Sequence, residues 1–176
     1  MVHLYLSYSQ EKESQAAHTL LNRILEEQYG LEQPQLCLGP QGKPFLPQGP
    51  EFSISHSWGH IAIAISERPV GVDVELVRPY MERLPERIFS PGELTWFQGR
   101  YATKVDFFTL WTLKESYYKF KGTGLLGFPN DTEFYQDPQG RWRLGGSSLF
   151  FHVMEEKNLL LTLCCQEKEE IRIHRM

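Results

Sequence analysis

The chain has 176 residues, 41% of them hydrophobic, and a formal charge of −4. That length buries a core for one compact domain or two intimately packed small lobes, and it excludes a large multidomain enzyme. The mild acidity argues against nucleic acid as the main partner, while leaving room for a local basic pocket.

In chain order, Val2–Tyr8 alternates apolar and smaller polar residues and predicts a strand. Across Glu13–Tyr29, Ala17, Leu20, Leu21, Ile24, Leu25 and Gln28 recur at helical spacing, with Gly30 placed to end the helix. Residues 39–50 are rich in Gly and Pro and predict a loop. Residues 52–57, 61–66 and 70–77 then predict three strands, the last two forming a hairpin around Glu67-Arg68-Pro69. Turns and a short amphipathic segment fill 79–91, and Pro91-Gly92-Glu93 opens a helix through Phe97. Residues 106–121 are strongly helical, with Leu110, Leu113, Tyr117 and Phe120 on one stripe, and Gly122-Thr123-Gly124 ends the run. Residues 132–135, 141–144, 149–154, Leu159–Cys165 and 171–174 alternate like antiparallel strands. Helix followed by strands, twice, points to an α+β fold with a duplicated architecture.

No apolar run reaches the roughly 20 residues of a membrane span, and no basic stretch leads into a long apolar one at the N-terminus. A soluble, cytoplasmic protein with no membrane partner is therefore expected. Cys37, Cys164 and Cys165 match neither a C-x-x-C pair nor a zinc spacing, and are expected to be buried, reduced thiols.

Two acidic motifs carry the chemistry. In Gly71-Val72-Asp73-Val74-Glu75 the valines share one strand face, so Asp73 and Glu75 project together from the other, about 7 Å apart. Surface acids on an edge strand would read the same way. In Trp111-Thr112-Leu113-Lys114-Glu115-Ser116, Trp111 and Glu115 continue to Lys119 at successive i, i+4 positions, on a line separate from the apolar stripe. Alone, that Glu-to-Lys pair is a common surface feature contributing only about 0.3–0.5 kcal/mol. Together, three carboxylates and the lysines Lys114 and Lys119 suit a magnesium ion holding a diphosphate. His56, among the alternating serines of Ser53-Ile54-Ser55-His56-Ser57, and Lys43 could add phosphate contacts. The string Gly122-Thr123-Gly124-Leu125-Leu126-Gly127 follows a helix rather than a strand, so a dinucleotide fingerprint is rejected. No G-x-S-x-G elbow supports a serine hydrolase.

These residues resemble the Sfp-type 4′-phosphopantetheinyl transferases, which activate carrier proteins of fatty acid, polyketide and nonribosomal peptide synthesis. The match runs in order through Gly42-Lys43-Pro44, Phe52-Ser53-Ile54-Ser55-His56-Ser57, Gly71-Val72-Asp73-Val74-Glu75 and Phe89-Ser90-Pro91-Gly92-Glu93. It continues through Trp111-Thr112-Leu113-Lys114-Glu115-Ser116-Tyr117-Tyr118-Lys119 and Lys121-Gly122-Thr123-Gly124-Leu125. The resemblance implies one domain over 1–176 made of two similar lobes, approximately 1–78 and 79–176, related by a pseudo-twofold. Each lobe would be a small antiparallel sheet packed with a long helix, with coenzyme A in the cleft between them. It implies Asp73, Glu75 and Glu115 as magnesium ligands, and Lys119 and Lys114 as diphosphate contacts. Ser55, His56 and Lys43 would receive the adenosine 3′-phosphate end. The reaction implied is Mg2+-dependent transfer of phosphopantetheine from coenzyme A to a serine of an acyl or peptidyl carrier protein, releasing 3′,5′-ADP. Glu115, or a water held by the metal, is then the candidate base, and Lys119 stabilises the leaving oxygen. A monomer is the default, since the pseudo-symmetry lies within one chain. Phe89, Trp96 and Phe97 are candidates for carrier contact, although core packing competes for them.

One departure stands out. The family's basic helical stretch after the first strand is missing, because Tyr8 runs almost directly into the first helix. Ala16-Ala17-His18-Thr19-Leu20-Leu21 has His18 where the family has arginine and keeps Thr19 as a cofactor contact. The rival readings are a noncatalytic carrier-protein or coenzyme A binder with a trimmed nucleotide pocket, and another magnesium enzyme using a nucleotide diphosphate. Each lost charge-assisted phosphate contact costs about 1.5–3 kcal/mol. Calorimetric titration is therefore expected to show weaker coenzyme A binding than a longer relative's, and an equal dissociation constant would contradict this.

Overall fold

The computed structural model describes residues 1–99, 102–123 and 130–176. The Gly124 and Leu125 end of the last matched motif lies outside them. Strand β1 (Val2–Tyr8) and helix α1 (Glu13–Tyr29) form where the periodicity predicts. Gly30 ends α1 in the left-handed conformation, its N–H donating to the Leu25 carbonyl. The 39–50 loop contains part of a minimal hairpin, β2 (Cys37–Leu38) with β3 (Pro44–Phe45). Strands β4 (Glu51–Ser57) and β5 (His60–Ser66) turn through Trp58 and Gly59, both at positive φ (52° and 83°), which suits a two-residue turn between twisted strands.

Strand β6 (Val70–Leu76) leads to helices α2 (Leu84–Ile88), α3 (Pro91–Gln98) and α4 (Lys104–Lys121). Ser90 with Glu93, and Thr103 with Asp106, build reciprocal capping boxes that start α3 and α4. Strands β7 (Phe134–Gln136), β8 (Trp142–Leu144), β9 (Phe150–Glu156), β10 (Leu159–Cys165) and β11 (Ile171–Arg175) complete the described chain.

The strands make a four-stranded sheet ordered β11-β1-β5-β4, a three-stranded sheet ordered β6-β10-β9, and two small hairpins. The expected β5–β6 hairpin does not form. β1 and β4 pair with β5 along its whole length, occupying both its edges, so β6 pairs with β10 instead. Glu67-Arg68-Pro69 therefore carries the chain from one sheet to the other. Sheet membership also crosses the lobe boundary expected at residue 78: β6 joins β9 and β10, while β11 returns to pair in parallel with β1.

Alternation along the strands sorts the core into layers. Tyr5, Phe52, Ile61, Ile63 and Ile65 pack under α1. The opposite face, with Val2, Leu4, Ala62 and Ala64, packs on Val70, Val72 and Val74 of β6 and on Leu161 and Leu163 of β10. A third cluster gathers around α4 through Phe107, Phe108, Leu110 and Leu113. Phe89 is buried there, and Trp96 and Phe97 pack against the same cluster, which uses these aromatics as core. Cys164 and Cys165 are buried free thiols, but Cys37 is exposed on the short β2, correcting the expectation for that residue. Among the described residues, no helix is long and apolar enough to cross a membrane.

Gly71 sets how closely α4 approaches β6. A Cβ there would lie 2.0 Å from the Ser116 carbonyl oxygen and 2.5 Å from the Phe120 backbone nitrogen, both main-chain atoms that cannot rotate away. Gly71→Ala is therefore expected to destabilise the fold by at least the ~1–3 kcal/mol typical of overpacking. A urea denaturation midpoint unchanged from the parent would refute this.

Candidate active site

The α4 approach lays one side of the helix over the polar face of β6. Asp73 and Glu75 share that face with Gly71, and Lys119 Nζ reaches Asp73 Oδ1 at 2.6 Å. Trp111 Nε1, two turns earlier, donates to Glu75 Oε1 at 3.2 Å. Glu115 stands between them in sequence, and all three carboxylates line one cavity of about 350 Å³. Lys119 and Ser55 also line it, as do His56 from β4 and Ser14, Ala17 and His18 from α1. A neighbouring cavity of about 220 Å³ contains Lys43 and shares Pro44, Ile54 and Lys119 with the first.

Burial dominates the electrostatics. Asp73 is 3% exposed; burial pushes its carboxyl up, opposed by the Lys119 ammonium. Its Oδ1 accepts hydrogen bonds from Ser55 Oγ (2.8 Å) and Lys119, whereas Oδ2 is buried with no partner among the described residues. An orphaned buried carboxylate oxygen is costly. Glu75 is better satisfied, with Oε2 accepting from Ser57 Oγ (2.6 Å) and Arg78 Nη1 (2.5 Å). Glu115 is pushed up to about 7 by burial, and then by the Asp73 charge, with Lys119 opposing.

An all-carboxylate donor set with an unpartnered oxygen suits a hard divalent cation such as magnesium. Among the described residues, no three His, Cys, Asp or Glu side chains converge as a ready-made cage. Lys119 and Arg78 compensate part of the negative charge instead.

The other expected contacts divide. His56 lines the main cavity, with its Nδ1 2.9 Å from Glu13 Oε2. Glu13 also accepts from the Gly59 N–H, tying the start of α1 to the β4–β5 turn. Ser55 lines the cavity, but its hydroxyl is engaged with Asp73, with Lys119 and with the Val74 N–H. Lys43 lies in the adjacent cavity, where burial lowers the pKa of its ammonium. Thr19 is exposed on α1 and does not line the cavity, whereas Ser14, Ala17 and His18 of that helix do.

Lys114 must be corrected. It has no exposure and pairs with the equally buried Glu93 at 2.8 Å, while also donating to the Thr132 carbonyl. Glu93 in turn accepts from the backbone N–H groups of Ser90 and Phe134. The pair ties α3, α4 and the segment entering β7 together, so Lys114 cannot meet a diphosphate in this arrangement. Adjacent residues on a helix point in different directions, and this separates Lys114 from Glu115. Sequence reasoning also missed Arg78, Ser57 and the bond from Trp111 to Glu75. Trp111 was at least marked by its i, i+4 line with Glu115, whereas nothing local signalled Arg78.

A sequence model of the 4′-phosphopantetheinyl transferase superfamily matches residues 69–167, more than half of the chain. A 4′-phosphopantetheinyl transferase of Bacillus subtilis is 35% identical over 112 residues, covering 60% of this chain and 50% of that protein. The enzyme gsp of Aneurinibacillus migulanus is 40% identical over 86 residues, 48% of this chain and 36% of its own length. Sfp of Bacillus subtilis strain 168 is 31% identical over 129 residues, 68% of this chain and 57% of its own. The chain thus spans about half the length of the curated relatives it matches.

The raised Glu115 carboxyl predicts a pH dependence. Its folded-state pKa of about 7 lies above the ordinary 4.5, so the folded state binds this proton more tightly. The resulting stability is fully present below about pH 4.5 and is lost as pH rises through about 7. In chelator, Glu115→Gln should gain thermal stability over the parent as pH rises across that window. A melting-temperature difference that stays flat between pH 5 and 8 would contradict the assignment.

Proposed function

The chain belongs to the 4′-phosphopantetheinyl transferase superfamily, and we propose that it transfers the 4′-phosphopantetheine arm of coenzyme A to a serine of an acyl or peptidyl carrier protein. The observation that carries this reading is the meeting of Asp73, Glu75, Glu115 and Lys119 around one cavity. Asp73, Glu75 and Glu115 would hold Mg2+, with the unpartnered Asp73 Oδ2 as the open donor. When bound, the ion supplies charge neutralisation at the diphosphate. The carrier serine Oγ attacks the phosphorus bearing the pantetheine arm. The bond from that phosphorus to the oxygen of the departing 3′,5′-ADP breaks, and Lys119 stabilises the charge developing on that oxygen. Glu115, which lines the same cavity, is the candidate to take the serine proton. His56, His18 and Lys43 would receive the nucleotide phosphates along the two adjoining cavities.

Each long helix packs beside one of the two larger sheets, which supports two pseudo-twofold-related units meeting at this cavity. One chain lines the whole cavity, consistent with a monomer, and three free cysteines suit the cytoplasm.

Mixing the protein with an apo carrier, coenzyme A and Mg2+, then weighing the carrier by mass spectrometry, should show the added arm. Glu115→Gln should stay folded and lose the transfer, and parent-like turnover in that variant would refute the assigned role. A carrier that binds without gaining mass would instead mark a noncatalytic binder.

A further inference from the structure

The alternating serines of β4 run alongside β6 in a regular pattern. Ser53, Ser55 and Ser57 Oγ accept from the backbone N–H groups of Val72 (3.0 Å), Val74 (3.2 Å) and Leu76 (3.5 Å). β4 and β6 belong to different sheets, so these hydroxyls stand where a neighbouring strand's carbonyls would otherwise accept. Two of the three also donate to a β6 carboxylate: Ser55 to Asp73 and Ser57 to Glu75. Ser53 has no such partner, because the corresponding position is Gly71, over which α4 passes. Each of the two hydroxyls therefore ties a carboxylate to the main-chain N–H of the next residue.

Glu75 shows the consequence most clearly. Its Oε2 is held by Ser57, 6% exposed, and by Arg78, while Oε1 takes the Trp111 indole N–H from α4. Arg78 is itself held beside aromatic rings, its guanidinium carbon 4.8 Å from the Phe108 centroid and 6.0 Å from that of Trp58. A glutamate with free rotors would sample many orientations. This one is fixed from β4, from α4 and from the segment that follows its own strand.

We propose that Ser57 and Trp111 are positioning residues that orient the Glu75 carboxylate for cation binding, acting through hydrogen bonds rather than by touching the cation or the substrates. The inference rests on the reading of Asp73, Glu75 and Glu115 as the cation-binding set. Neither residue carries charge, so removing its hydrogen bond changes orientation without changing the Coulomb field at the site. Metal affinity therefore reports positioning directly. Loss of the partners that orient a metal ligand commonly weakens metal binding about 10–100-fold.

Mg2+ is titrated calorimetrically into the full chain at neutral pH, and the KM for Mg2+ is measured in the transfer assay. Ser57→Ala and Trp111→Phe are each expected to weaken Mg2+ binding about 10-fold or more and to raise the KM for Mg2+ in proportion. Ser57→Thr, which retains the hydroxyl, is expected to restore binding toward the parent value. A lowered melting temperature with unchanged Mg2+ affinity in both variants would make the two residues merely structural and overturn the proposal. Because Trp111→Phe keeps an aromatic ring in place, it tests the idea even if Ser57→Ala folds poorly. If the parent binds Mg2+ and Asp73→Asn abolishes it, the cation-site reading stands whatever the Ser57 result. A parent that binds no Mg2+ would sink both.

Discussion

The architecture depends on a contact that only a missing side chain permits. At Gly71, helix α4 lies against β6 so closely that a methyl group would overlap the helix backbone. Buried main-chain polar atoms on both elements must already be paired within their own structures, so neither can retreat without breaking its hydrogen bonds. The close fit sets the distance from which Lys119 reaches Asp73 and Trp111 reaches Glu75. A helix held a few ångströms farther out would leave two separate acidic surfaces.

Bringing acids together under partial burial is unfavourable unless positive charge or hydrogen bonds offset it. Here the compensation is uneven. Glu75 takes three donors, Asp73 uses one oxygen and leaves the other unpartnered among the described residues, and the Glu115 carboxyl is pushed up to about 7. Such an arrangement is costly for the chain alone, and under the proposed function a shared hard cation would offset that cost. The neighbouring Glu93–Lys114 pair shows the opposite solution. Both groups are fully buried, but each is hydrogen-bonded as well as paired, so nothing remains to offer a ligand.

The serines of β4 connect these two levels. They close the gap between sheets that do not share a ladder, and they hold the carboxylates of β6 in register. In the sequence they resemble an ordinary polar face of an amphipathic strand. Their partner strand is not adjacent in the chain's pairing scheme, so local pattern could not reveal the seam.

Periodicity determined the α+β class and most of the elements: the strand Val2–Tyr8, the helix Glu13–Tyr29 and the strand Leu159–Cys165 are as their alternation or 3.6-residue repeat requires. The same alternation put Asp73 and Glu75 on one face, and helical spacing aligned Trp111, Glu115 and Lys119. Those are local consequences of backbone geometry, and sequence reasoning reaches them. Which strands pair is not local. Short connection made β5 and β6 look like a hairpin, but β5 has only two edges and β1 and β4 fill them, so β6 crosses to β10. Side-chain direction across a packed interface also had to await the fold: Lys114 turned inward to Glu93 while Lys119 turned to Asp73. Composition and spacing say which groups are present and which share a face; only packing decides which faces meet, because desolvation and hydrogen-bond pairing are settled by neighbours far away in the chain.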